Sequence, residues 1–167
     1  MATLIGPQDG KAGSLGSIGV RFMLWTQEAG GLVSVVEHPM PPRALAAPLH
    51  KHSREDEYSY VLEGRMGAQL GDEVVYAEAG DFVFKPRDQW HTFWNAGDEP
   101  CRILEIIVPG GFEGFFDELI ELPGEPAPEE LAALGARYGL EFDFSSIPGL
   151  CERHGVTLGT LVTGGGA

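Results

Sequence analysis

Three histidines and one glutamate stand out because their types and spacing could bind a metal ion. His50 and His52 are separated by one residue, Glu57 follows shortly after them, and His91 lies much further along the chain. Imidazole nitrogens and a carboxylate oxygen suit divalent transition metals such as Fe, Mn, Ni, Co, Cu or Zn. The chain contains five histidines in all, and three belong to this set. These residues predict a site for one divalent transition metal ion.

A β-strand is the element that would place the first two histidines correctly. Side chains alternate between the two faces of a strand, so His50 and His52 should point the same way with Cα atoms roughly 6.5–7 Å apart. Glu57 is at an odd offset from His52, and an uninterrupted strand would turn it to the opposite face. The turn-like residues 53–56 predict a bulge or loop that brings the carboxylate back. His91 must come from another strand.

Short strand-like segments separated by turns extend from about residue 19 to residue 108. They are 19–26, 32–38, 58–62, 66–70, 74–77, 82–84, 91–94 and 102–108. The chain contains 24 Gly and 12 Pro, which favours many tight turns. About eight short strands without an intervening helix predict an all-β sandwich or barrel.

The pattern becomes helical after Gly110. Apolar residues then recur at the spacing of an amphipathic helix; they are Phe112, Phe115, Phe116, Leu119 and Ile120. A second helix should begin at Pro128 and end near Gly139. We therefore expect a β-barrel domain over 1–110, a C-terminal helical extension over 111–163 and a disordered tail over 164–167. The helices could cover the mouth of the barrel or pack on its outside.

The composition limits the classes of partner. Eleven basic residues against 25 acidic ones give a net charge of −14, which disfavours binding to nucleic acid or to anionic membranes. No segment approaches the ~20 apolar residues that a membrane-spanning helix needs. The N-terminal residues lack the basic and then apolar pattern of a signal peptide. We expect a cytoplasmic protein that binds a small-molecule substrate.

Two sequence motifs resemble those of the cupin family. The first family motif is G-x5-H-x-H-x3,4-E-x6-G, and residues 44–64 match it except that Ala44 replaces the first glycine. The second is G-x5-P-x-G-x2-H-x3-N, and residues 80–95 match it except that Asp88 replaces the middle glycine. Aspartate tolerates the left-handed backbone of such a turn. The resemblance extends over about residues 18–110.

The cupin resemblance implies a fold, a ligand set and an activity. The fold would be a double-stranded antiparallel β-helix, also called a jelly-roll barrel, that holds the metal near one open end through His50, His52, Glu57 and His91. Cupins of this kind are often homodimers. The overall likeness is to small quercetin-dioxygenase-like cupins, which implies a metal-dependent dioxygenase for a small aromatic or enolisable hydroxy-ketone. Glu57 could also act as the general base.

Other functions remain open at this point, because a fold does not determine an activity. One alternative is a redox-neutral isomerase, decarboxylase or lyase for a small oxo-acid or sugar. Another is a non-catalytic module that binds a small ligand through the ion. Strand alternation predicts that Ser59, Phe93 and Asn95 line the substrate pocket, and that Tyr58 and Tyr60 face away from it toward a packing or dimer surface.

The two remaining histidines receive no functional role from the sequence. His38 ends a predicted strand, and His154 lies in a Glu-Arg-His-Gly turn. We expect both to be ordinary residues at the surface or behind the metal ligands.

Overall fold

Two antiparallel β-sheets dominate the computed structural model, which describes residues 4–159. The strands are β1 (Ala12–Ser14), β2 (Gly19–Leu24), β3 (Ser34–Met40), β4 (Leu49–His52), β5 (Asp56–Glu63), β6 (Arg65–Leu70), β7 (Glu73–Glu78), β8 (Phe82–Lys85), β9 (His91–Asn95), β10 (Cys101–Val108) and β11 (Leu140–Asp143). The helices are α1 (Glu113–Ile120), α2 (Pro128–Arg137) and α3 (Ile147–His154). The tail predicted over 164–167 lies outside the described residues.

The strands alternate between the two sheets as the chain proceeds. One sheet has the order β1-β2-β3-β10-β5-β8, and the other has the order β11-β4-β9-β6-β7. The chain passes from β4 in the second sheet to β5 in the first, returns for β6 and β7, and crosses again for β8. This is the jelly-roll arrangement that the sequence predicts, and the all-β, double-stranded β-helix fold is confirmed.

Alternating burial shows which side of each strand forms the interior. Along β10, buried and half-buried residues alternate over all eight positions, as expected for a strand with one face on the core. Cys101, Ile103 and Ile107 lie on its buried face. The central strand β9 is buried at every position, because its outer face is also covered: Trp94 packs in a cluster with Leu150 of α3.

The segment after the barrel contains a strand as well as helices. The α1 residues Phe115, Phe116 and Leu119 join one buried cluster with strands β2, β3 and β10, so the predicted amphipathic face is correct. After α2, Gly139 turns the chain at φ 72°, and β11 then pairs with β4 at the edge of the five-stranded sheet. The extension predicted as helical over 111–163 therefore also completes a sheet.

The turn that departs from the second cupin motif keeps its conformation. Asp88 has φ 63°, within the left-handed region that the motif glycine would occupy. Its backbone N–H donates to the carbonyl of His52 at 2.7 Å. Asp88 therefore fixes the turn before β9 against the end of β4.

No helix within residues 4–159 is long and apolar enough to cross a membrane.

Candidate metal centre

The four predicted ligand side chains converge on one point inside the barrel. His50 and His52 project from β4, His91 projects from the neighbouring β9, and Glu57 projects from β5 in the opposite sheet. One ligand atom from each lies within 4.8 Å of the others, and all four residues are buried. His50 and His91 are directly opposite one another in the β4–β9 pairing. The change of sheet at residues 53–55 brings Glu57 to face the histidines.

Two of the histidines have their orientation fixed by backbone carbonyls. His50 Nδ1 lies 2.8 Å from the Pro48 carbonyl oxygen, and His91 Nδ1 lies 3.0 Å from that of Gln89. A carbonyl oxygen can only accept a hydrogen bond, so both Nδ1 atoms carry the proton. The Nε2 lone pair of His50 is then free, and His91 Nε2 faces Glu57 Oε2 at 3.2 Å. This is the arrangement in which histidine binds a metal.

His52 and Glu57 show why these residues fit a cation. Neither ring nitrogen of His52 has a hydrogen-bond partner among residues 4–159, although the ring is buried. Its Nε2 lies 3.4 Å from Glu57 Oε1, while Glu57 Oε2 lies 3.2 Å from His91 Nε2. A buried imidazole without a hydrogen-bond partner destabilises the folded protein. An ion shared by the cluster would provide a partner for one of its nitrogens. Three imidazoles and a carboxylate form a suitable donor set for a divalent transition metal.

Burial and neighbouring charges set the protonation of the cluster. Burial, followed by the neighbouring imidazoles, lowers the pKa of His50 well below its usual value, and burial lowers that of His52 to about 4. Burial alone would raise the pKa of Glu57, but His52, the Lys85 ammonium and the hydrogen bond with His91 outweigh it and hold that pKa well below normal. His50 and His52 are therefore neutral and Glu57 is ionised at neutral pH, which is the state in which these side chains bind a metal.

A buried ion-pair network supports Glu57 from behind. Lys85 Nζ lies 3.3 Å from Glu57 Oε2 and 2.8 Å from Glu105 Oε1. The Ser59 hydroxyl donates to Glu105 Oε2 at 2.8 Å. All four residues of this network are almost fully buried. Burial raises the pKa of Glu105 to about 7 against the opposing effect of Lys85. Lys85 and Glu105 were not predicted from the sequence, although strand alternation places them on the same inward faces as Val83 and Ile107.

The cluster lies at the wall of a cavity of about 260 Å³. Most of the lining is apolar, and no lysine or arginine contributes to it within the described part of the chain. The segment after the barrel supplies much of the aromatic lining: Phe112, Phe115, Phe116, Phe142 and Phe144. The Phe112 ring packs edge-on against His52 with centroids 4.3 Å apart. Of the two arrangements open from sequence, the extension thus covers the cavity.

The three predicted pocket residues occupy different positions. Phe93 lines the cavity. Ser59 is buried behind it, bonded to Glu105. The Asn95 amide donates to the backbone oxygens of Met40, Pro41 and Glu99 at 2.8–3.1 Å. The structure thus places Asn95 at a junction of loops. Strand alternation alone cannot distinguish a residue in such a junction from a pocket residue.

Two further expectations concern aromatic and histidine residues. Tyr60 is on the outer face of β5 and 39% exposed, as the alternation predicts. Of the two positions expected for His38, the surface one is wrong, because this residue is buried on the inner face of β3 and lines the cavity. The missed signal was its period-two spacing with Val36 and Met40, both of which are core residues.

Comparison with known proteins agrees with the fold and the motifs. The sequence profile described as "Cupin domain" matches residues 36–107. The tetracenomycin polyketide synthase protein TcmJ of Streptomyces glaucescens is 32% identical over half of this chain, and the match spans 54% of TcmJ. The uncharacterized protein MJ1618 of Methanocaldococcus jannaschii is 31% identical over 56% of this chain and 74% of its own length.

A third relative and a solved structure extend the comparison. The quercetin 2,3-dioxygenase of Aspergillus japonicus is 35% identical over 44% of this chain, but the match spans only 22% of that enzyme. The structure of KdgF from Halomonas sp. superposes with a TM-score of 0.59, covering 68% of this chain and 99% of KdgF at 17% identity. The profile, the relatives and the shared barrel together show that this chain belongs to the cupin superfamily.

Proposed function

We propose that the protein is a metal-dependent dioxygenase acting on a small aromatic or enolisable hydroxy-ketone. The observation that carries this proposal is the position of the His50, His52, Glu57 and His91 cluster on the wall of an aromatic cavity. Among residues 4–159, no lysine or arginine lines the cavity to pair with the phosphate group of a sugar phosphate. The same lining suits a planar, largely apolar ligand with a few polar oxygens.

The four cluster residues would hold one divalent ion, and the rest of the site would orient the substrate. The ion would supply Lewis acidity toward a chelating hydroxy-ketone and, if redox-active, the activation of dioxygen. Glu57 is ionised and close to the position of the ion, so it can accept the proton of a substrate hydroxyl. Lys85 holds Glu57 Oε2 in place, and the aromatic side chains exclude water from the reacting groups.

The relatives support the proposed chemical class. One is a quercetin 2,3-dioxygenase, and another is a polyketide synthase protein. Flavonols and aromatic polyketides share hydroxyl groups next to a ketone on a planar ring system. The chain spans about half of TcmJ and less of the dioxygenase, so their activities enter here only as part of the proposal.

Metal binding is tested first, by thermal unfolding of protein purified without a histidine tag and treated with a chelator. Adding Mn, Fe, Co, Ni or Zn should raise the melting temperature, because an ion at about 100 times its Kd stabilises the folded state by roughly 2.7 kcal/mol. His52→Ala should abolish this shift. His154→Ala, which alters a histidine outside the cluster, should retain it. A shift that survives in His52→Ala would contradict the proposed site.

Dioxygenase activity is then tested by oxygen consumption. Protein loaded with each metal is mixed with a flavonol or a β-diketone in an oxygen electrode, and His91→Ala serves as the control that lacks a ligand. We expect oxygen uptake only for the wild type and only with an oxygen-activating metal. Turnover without oxygen would instead support the isomerase, decarboxylase or lyase alternative. Ligand-induced stabilisation without turnover over a broad panel would support the non-catalytic binding module.

We further propose that the protein forms a homodimer through the outer face of β5 and β8. Phe82 and Phe84 are 56% and 47% exposed there, and the Tyr58 ring packs on both of them. β8 is also the edge strand of its sheet, and exposed apolar edges are usually covered by a partner.

The cytoplasmic location expected from the sequence stays a prediction.

A further inference from the structure

His38 is a cavity residue that neither the metal cluster nor the ion-pair network uses. It lies on β3, in the sheet opposite the three ligand histidines. Its side chain is only 2% exposed, and it contributes to the wall of the cavity. Its ring packs against Phe116 and Phe93, with centroids 5.2 and 6.0 Å away. Both of these phenylalanines also line the cavity.

One hydrogen bond fixes which nitrogen of His38 carries the proton. Nδ1 lies 2.8 Å from the carbonyl oxygen of Gly19, and a carbonyl oxygen only accepts, so Nδ1 is the donor. Burial lowers the pKa of His38 to about 4, so the ring is neutral at physiological pH. The lone pair on Nε2 is then available, because the only side-chain hydrogen bond of His38 within residues 4–159 is the one that Nδ1 makes.

An acceptor without a partner in an aromatic wall indicates a ligand that donates a hydrogen bond. His38 is almost fully buried and lines the cavity, so a ligand in the cavity can supply the donor that Nε2 lacks, and that hydrogen bond would stabilise the bound ligand. We propose that His38 Nε2 accepts a hydrogen bond from a neutral hydroxyl group, phenolic or enolic, on an aromatic ligand in the cavity. This inference depends on the proposed function only for the chemical class of the ligand.

The surroundings favour a hydroxyl over charged donors or acceptors. A carboxylate has no proton to donate to Nε2. An ammonium group would require a counter-charge, but Lys85 and Ser59 already engage Glu105, which lines the same cavity. A phenol or enol satisfies Nε2 without bringing a charge into the apolar cavity. The inferred subsite would therefore select hydroxylated over methoxylated or unsubstituted rings.

The test compares 2-naphthol with 2-methoxynaphthalene, which differ in the ability to donate a hydrogen bond. Their binding to the full-length protein is measured by fluorescence titration, as purified and again after chelation with EDTA. Wild-type protein should prefer the naphthol by roughly three- to tenfold in Kd, the worth of one neutral hydrogen bond. The preference should persist after chelation, which separates this subsite from the proposed metal chemistry.

Two substitutions at His38 provide matched variants. His38→Asn can keep the donor to the Gly19 carbonyl but has no atom at the Nε2 position, so its preference should fall to about one. His38→Gln places an amide oxygen or nitrogen near that position and should restore part of the preference. An equal preference in wild type and His38→Asn, or no preference in wild type, would overturn the proposal.

A measurement on the wild type keeps the test valid if these variants do not fold. In protein labelled with ¹⁵N-histidine, the unprotonated Nε2 of His38 should resonate as an acceptor nitrogen and shift upfield when 2-naphthol is added. 2-Methoxynaphthalene should leave it nearly unchanged, because it cannot donate. Equal shifts with both probes would contradict a hydrogen bond to Nε2.

Discussion

At the scale of single residues, the site depends on how charges and lone pairs are compensated in the interior. His50 and His91 each have one nitrogen engaged by a backbone carbonyl, whereas both nitrogens of His52 lack partners within the described chain. Glu57 is ionised although it is buried, because Lys85 and the histidines surround it. The same side chains that favour a metal therefore also make the interior sensitive to substitution.

Lys85→Met tests the buried ion-pair network. Removing the ammonium leaves Glu57 and Glu105 without their counter-charge in the interior, and we expect the free energy of unfolding to fall by roughly 3 kcal/mol or more. Urea denaturation measures this change. Lys51→Met is the matched control, because Lys51 is partly exposed and its pair with Glu141 at 3.2 Å should contribute about 1 kcal/mol or less. Similar losses in the two variants would show that Lys85 is not a buried counter-ion.

His38 should make the stability of the metal-free protein depend on pH. Burial lowers its pKa from 6.5 to about 4 in the folded state, so between these values the unfolded chain binds a proton that the folded chain does not. The contribution of His38 to the free energy of unfolding is fully present above pH 6.5 and falls as the pH drops toward 4. Across this window wild-type protein should lose up to roughly 3 kcal/mol more than His38→Asn in urea denaturation. Parallel losses would contradict the shift.

At the scale of elements, turn residues made most of the strands predictable. β2, β3 and the strands from β5 to β10 fall within a few residues of the eight segments read from the sequence, because Gly, Pro, Asn and Asp mark their ends. β4 was expected as a strand only from the spacing of His50 and His52. Two short strands were missed. β1 has three residues and β11 has four, and each lies at the edge of its sheet. β11 also follows directly on a helix.

Gly139 tests how the chain returns from α2 to the sheet. Its φ is 72°, and an added Cβ would lie 2.5 Å from Ser53 Oγ. Gly139→Ala should therefore lower stability by about 2 kcal/mol, as the left-handed backbone disfavours a side chain. Gly149→Ala is the control, because Gly149 lies within α3 and an added Cβ would meet nothing within 4 Å. That substitution should stabilise by up to about 1 kcal/mol, with thermal unfolding as the readout.

At the scale of the whole molecule, the barrel has two distinct apolar surfaces. One is the cavity, which the segment after residue 110 covers with aromatic side chains. The other is the outer face of β5 and β8, where Phe82 and Phe84 remain exposed. The first is enclosed within one chain, and the second is the surface that we assign to a partner copy.

Phe84→Glu tests the proposed dimer. A carboxylate in the centre of an apolar interface must be desolvated, so the variant should elute as a monomer in size-exclusion chromatography with light scattering, while the wild type elutes as a dimer. Leu32→Glu is the control, because Leu32 is exposed in a loop away from this face. A wild type that is monomeric at all concentrations, or a dimeric Phe84→Glu, would contradict the interface.

The sequence by itself determined the candidate ligands, the all-β class and the family, because these depend on residue type, short spacing and turn chemistry. His50, His52, Glu57 and His91 could be named without coordinates. Only the tertiary structure decided that Lys85, Glu105 and His38 face the same interior, and that residues 112–159 help to enclose it. These contacts join residues from different strands and both sheets, and no periodicity along one segment records which distant side chain will be its neighbour.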